Sequence, residues 1–254
     1  MTIGAYQEAT PRLFVQGLFD ESATALQRIG TIRELDDGRV FAYARDGGTG
    51  LSVSKLTAGA VVVADHFECV VADTAIGQTR ISITLNGTTV MTANQYKDGY
   101  IQINKNTGIG HLYKIRGHKA IGAGSAGYLE LYDPIRVATA SSAEGTVSKH
   151  IQDGVNIHAS PPIRPLTGIP PIAVTASYYF WNQVKGICAC LTDNTTPVVG
   201  KTIVASKATD GSIGLPVLSE AGPNTGFDQQ ICGTVIQVNA SAEYSLINLA
   251  IPGY

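Results

Sequence analysis

The sequence predicts a mainly β protein, with antiparallel sandwich- or barrel-like β structure, an extended N-terminal arm and one or two short helices. Three observations carry this. Apolar residues recur at alternate positions in many short runs, the period of a half-buried strand. Asp-Gly, Asn-Gly and Gly-Gly pairs separate the runs and suit tight turns. Runs with a helical period are few.

Along the chain, residues 1–30 read as an arm followed by a short helix. Leu13, Phe14, Val15, Leu18 and Phe19 give the arm its apolar content. Asp20–Ile29 has an N-cap candidate in Asp20, acids in the first turn and Gly30 just past its end. Residues 31–159 read as a β domain. Arg39–Arg45, between Asp37-Gly38 and Asp46-Gly47-Gly48, suggests a hairpin. Ala60–Val71 is rich in β-branched residues. Arg80–Leu85, Tyr100–Asn104, His111–Ile115 and Tyr128–Tyr132 all alternate. In Ser141–Val155, Val147, Ile151 and Val155 recur every four residues and allow a helix, which Gly145 and Gly154 weaken. Ser160–Ile172 holds five of the eleven prolines, so neither helix nor central strand suits it, and it reads as an extended linker over 160–172. Residues 173–254 form a β-rich C-terminal part, either separate from 31–159 or one domain with it. Its strands are Val174–Phe180, Gly186–Leu191, Thr202–Ser206, Ile231–Val238 and Tyr244–Ile251.

Composition excludes several function classes. Only 15% of the 254 residues are Asp, Glu, Lys or Arg, against about 25% in ordinary globular chains. Thr, Ser, Asn, Gln and Gly must then cover the surface, and such a surface resists association poorly. That suits a protein packed against partners. Net charge is −2, and the basic residues are scattered, so the sequence offers no run to neutralise nucleic-acid phosphates. The N-terminus lacks the order of a signal peptide. Asp65, His66, Glu68 and Asp73 interrupt the longest apolar stretch, Gly59–Gly77, which rules it out as a membrane span. These readings place the protein in the cytosol, or in a larger structure assembled there.

No cluster of residues announces catalysis. Cys188 and Cys190 lie two apart on an expected strand and share a face; with Cys69 and Cys232 they read as free, buried thiols. Gly122–Gly127 matches GxGxxG but runs straight into a strand, without the helix that would hold a pyrophosphate. His66 and Cys69 are a close pair of soft ligands without a second pair, and His111, His118, His150 and His158 add none. No GxSxG elbow is present. Neither a cofactor nor a metal is expected, and the reading is non-enzymatic. Tyr178-Tyr179-Phe180-Trp181 is the one aromatic cluster. Alternation sends Tyr179 and Trp181 to one face, which is core, an interface anchor or a sugar platform, in that order of preference.

The stretch around Leu26–Lys55, with DGRVFAYA at Asp37–Ala44, a Gly-rich turn and Lys55-Leu56, resembles structural proteins encoded near the major capsid gene of tailed bacteriophages. Leu131–Pro134, Ala176–Trp181 with Gln183 and Gly186, Val199-Gly200-Lys201 and the terminal strand pair resemble them too. The family is that of capsid cement, or decoration, proteins, many of them shorter than this chain. The resemblance implies a β-rich homotrimer bound to the major capsid protein on the outer surface of the virion, at local three-fold junctions. It would stabilise the shell against internal DNA pressure, without touching nucleic acid or membrane itself, after assembly in the host cytoplasm. Leu13, Phe14, Val15, Leu18, Phe19, Tyr179 and Trp181 are the expected interface residues. A head-fibre, tail, host-receptor or glycan-binding role in the virion is the alternative.

Overall fold

The structure, a computed structural model, describes residues 14–195, 197–216 and 229–254. Strands β1 (Ile32–Glu34) and β2 (Val40–Asp46) form the first hairpin, which closes at Asp37-Gly38, and β3 (Thr57–Ala58) follows. Then come β4 (Cys69–Val71), β5 (Arg80–Thr84), β6 (Tyr100–Lys105), β7 (Leu112–His118), β8 (Ala126–Leu131) and β9 (Ala143–Ser148). The remainder is β10 (Asp153–Ile157), β11 (Leu166–Gly168), β12 (Tyr179–Leu191), β13 (Thr202–Ala205), β14 (Ile213–Gly214), β15 (Ile231–Gln237) and β16 (Tyr244–Ala250).

Six of these strands close into an antiparallel barrel in the order β4-β5-β8-β7-β6-β9, with β9 pairing back onto β4. Alternation dictates its core. Ile81, Ile83, Ile101, Ile103, Tyr113, Ile115, Leu129 and Leu131 point inward and are buried, while their neighbours face out. Closure leaves no strand edge unpaired.

The other ten strands form one curled sheet, in the order β11-β3-β10-β2-β12-β16-β15-β13-β14, with β1 beside β2. One pair departs from the expected antiparallel pattern: β2 and β10 run parallel. A parallel pair needs a long crossover, and here the crossover contains the whole barrel. Entry strand β3 and exit strand β10 are themselves hydrogen-bonded neighbours, Ala58 opposite Asn156 and Thr57 opposite Ile157.

Several expected elements differ. Asp20–Ile29 is not a helix but an irregular strap. Ser22 exchanges backbone hydrogen bonds with Tyr179 (3.0 and 2.8 Å), and the Leu26 amide donates to the Tyr43 hydroxyl (3.1 Å). Groups a helix would pair internally are bonded to the sheet instead. Ala60–Val71 is a loop and a single 3-10 turn, Ala64–His66, before the short β4. Ser141–Val155 is β9, a turn and β10, with Val147 in the barrel core and Val155 in the sheet. Gly154, at φ +83°, breaks any helical path there. The strand expected at Val174–Phe180 begins only at Tyr179 and continues through Leu191 as the 13-residue β12. The Pro-rich segment carries β11 on the end of the sheet, and strands from both sides of it share that one sheet. The chain passes between sheet and barrel at 59–68 and 149–152 instead.

Candidate partner-binding surface

The two most distinctive stretches of the sequence meet in space. β2 carries Phe41 and Tyr43, β12 carries Tyr179 and Trp181, and Tyr43 lies directly opposite Trp181. Phe41, Tyr43 and Trp181 are wholly buried because the strap folds over them. Phe14 packs edge-on to Trp181, ring centroids 5.3 Å apart, and Tyr43 meets the indole at 5.1 Å. Leu18 packs on the same cluster, and the Arg33 guanidinium lies 5.1 Å from the Phe14 ring centre. Gln16 ties these together. It accepts from the Tyr43 hydroxyl (2.6 Å) and, through its backbone carbonyl, from the Trp181 indole N–H (3.2 Å). Its own amide donates to the carbonyls of Asp20 (2.7 Å) and Tyr179 (3.0 Å).

The expected interface residues therefore divide. Trp181, Phe14 and Leu18 are committed to packing within the chain, and Tyr179 is partly covered. Val15 and Phe19 face solvent from the strap. Leu13 lies outside the described residues.

Beyond the strap, several side chains on the outer face of the sheet are exposed among the described residues. In β12, Cys188 and Cys190 turn into the main sheet core, leaving Ile187 and Ala189 on the opposite face. In β16, Ile247 and Leu249 turn in, and Tyr244, Leu246, Asn248 and Ala250 turn out. Register aligns Ile187 with Asn248 and Thr234, Ala189 with Leu246, and Leu191 with Tyr244. Ile187 is 54% exposed, Ile231 51% and Tyr244 41%. Alternation in Tyr244–Ile251 foretold which residues share a side. Sequence gave no sign of which side stays uncovered, because that depends on where the strap ends.

The chemistry-bearing residues have structural partners. All four cysteines are free, and burial pushes the Cys188 thiol up to about 12 and raises those of Cys190 and Cys232 as well. The buried His66 hydrogen-bonds the Tyr96 hydroxyl, and His118 Nε2 accepts from the Tyr96 backbone N–H (3.1 Å). Burial lowers the pKa of both histidines. Among the described residues, no three His, Cys, Asp or Glu side chains gather as metal ligands. Residues 122–125 of the Gly122–Gly127 run are a surface loop, and Ala126 and Gly127 already belong to β8. Among the described residues, no helix is long and apolar enough to cross a membrane. No protein-family model, curated protein or solved structure matches the chain.

Proposed function

We propose that this chain is a non-enzymatic virion structural protein, a cement protein that binds the outside of a tailed-phage capsid at local three-fold junctions. The observation that carries this reading is the outer face of β12, β15 and β16, where Ile187, Ile231, Ile236 and Tyr244 are exposed among the described residues and the one charge on these strands is Lys185. Exposed aliphatic and aromatic side chains on a weakly charged protein favour association, and here they stand beside the uncharged Asn248 and Thr234. The pairing of β2 with β12 supports it too, since the more specific parts of a resemblance that covers nearly the whole chain in pieces lie on these two strands. Mechanically, a protein bridging neighbouring capsid subunits opposes their separation by the area it buries. A standard interface of roughly 1,200–2,000 Å², repeated by three copies around one axis, gains further from effective concentration. Val15 and Phe19, exposed on the strap, are further apolar side chains that such a contact would bury.

The test is sedimentation with expanded capsids lacking this protein. The expected result is saturation at a multiple of three copies per local three-fold site and shells that withstand more heat. Ile187→Glu with Tyr244→Glu should lower occupancy by about tenfold or more. Absence of binding to expanded shells rejects the cement role.

A further inference from the structure

The barrel gathers basic residues that the sequence scatters. Arg80 on β5, Arg116 on β7 and Lys119 just after β7 surround a hollow of about 500 Å³ on the barrel's outer face, with Tyr128 and Glu130 of β8 as its floor and Asn94 at its rim. Cross-strand register sets Arg80 opposite Glu130 and Ser82 opposite Tyr128. Arg80 Nε and Nη2 both reach Glu130 Oε1, at 2.8 and 2.7 Å. Arg116 Nη2 stands 3.6 Å from Glu130 Oε2, too far for a hydrogen bond. Lys119 makes no ion pair among the described residues. Three cations thus face one carboxylate. The volume lies within the range of about 300–1,000 Å³ that holds small organic ligands. Tyr128 remains 55% exposed although the Arg80 guanidinium carbon sits 4.6 Å from its ring centre.

We propose that this hollow binds an acidic oligosaccharide, with a pyranose ring against Tyr128, its carboxylate on Arg116 and Lys119, and its hydroxyls on Glu130 and Asn94. The excess cationic charge calls for an anion, and the Arg116 guanidinium, too far from Glu130 to hydrogen-bond it, presents a fork that fits a carboxylate. Glu130 decides the class. Beside the cations, Glu130 Oε2 makes no hydrogen bond among the described residues and is an acceptor that sugar hydroxyls can satisfy and a phosphodiester, which carries no donor, does not. The half-exposed Tyr128 offers an apolar surface to the C–H face of a sugar ring. The site lies on the barrel, away from the outer face of the sheet, and stands independently of the capsid reading.

The test uses the full chain and three probes followed by NMR titration. They are a hexasaccharide alternating glucuronic acid and N-acetylglucosamine, the same saccharide with its carboxylates reduced to alcohols, and a single-stranded oligothymidylate. The acidic saccharide should bind at up to millimolar concentration and shift the amides of Arg116, Lys119 and Tyr128. The reduced saccharide should bind at least about tenfold more weakly. Arg116→Gln with Lys119→Gln should lose a similar factor, and Tyr128→Ala should weaken both saccharides. These side chains are on the surface, so unchanged melting verifies that each variant folds. Equal affinity for the reduced saccharide, tighter binding of the oligonucleotide, or no shift at millimolar saccharide each overturns the proposal.

Discussion

His150 shows how one residue couples the strap, the barrel and the solvent. It sits in the turn between β9 and β10, with its ring over Gly30. A Cβ on Gly30 would fall 2.3 Å from His150 Nε2, so only glycine admits the ring there. His150 Nδ1 accepts from the Gln152 backbone N–H (3.1 Å), which requires that nitrogen to be unprotonated. Burial foremost, and then the Lys114 ammonium, lower the pKa from 6.5 to about 4, while Asp98 acts in the opposite sense. A histidine depressed in the folded state is charged more readily when unfolded. Its stabilising contribution is complete above pH 6.5 and drains away as pH falls toward 4. The shift corresponds to something on the order of 3 kcal/mol. His66 and His118, also lowered by burial, act in the same sense. Buried Asp153 is raised and acts oppositely at the acid end, since its charged form is the one that folding penalises. Urea unfolding of the parent protein should therefore show stability falling between pH 6.5 and 4, and His150→Gln should flatten that slope. An unchanged slope in the variant would assign the loss to other groups.

At the scale of elements, two glycines separate two causes of strain. Gly38 closes the β1–β2 turn at φ +83° with open space where a side chain would stand. Gly186 in β12 has φ +91°, and a Cβ there would sit 2.9 Å from the Arg39 Cα and 3.1 Å from the Gly38 carbonyl oxygen. Gly38→Ala should cost about 1 kcal/mol, the left-handed backbone alone. Gly186→Ala should cost about 2–3 kcal/mol, since the backbone of the turn must also move. Equal costs in denaturant titrations would mean that the turn yields freely. The same residues show what was legible in sequence. Asp37-Gly38 announced its turn because turn chemistry is local. The β5 to β8 strands were legible because one face is buried and the other wet. The helix expected at Asp20–Ile29 failed because Tyr43 and Tyr179, distant in sequence, bond its backbone. The sequence suggests two strands where β12 is one, because Gly186 marks a close approach inside a strand and not a strand end. The surfaces were least legible. Arg80, Arg116 and Lys119 belong to different segments, and only the barrel register brings them together.

For the molecule as a whole, the placement of the barrel makes a strong claim about folding. The barrel core runs from Cys69 to Val147, and no residue in it belongs to the three clusters that build the sheet. Separate cores permit separate folding units. Contact between barrel and strap is largely polar and aromatic, with Arg28 stacked 4.8 Å from the Tyr132 ring centre and His150 seated on Gly30. Because β3 and β10 pair directly, the ends of the barrel insertion already lie side by side. A short Gly-Ser turn replacing residues 62–148 should therefore close the gap without moving either strand. Trp181, the only tryptophan, reports on the sheet and strap alone. In the excised variant it should keep the blue-shifted emission of a buried indole and lose it in one cooperative urea transition. The intact chain should show two transitions by circular dichroism, only one of which moves Trp181 fluorescence. Emission from the excised variant that matches the denatured chain would mean that the sheet depends on the barrel. Barrel and sheet would then be a single cooperative unit despite their separate cores.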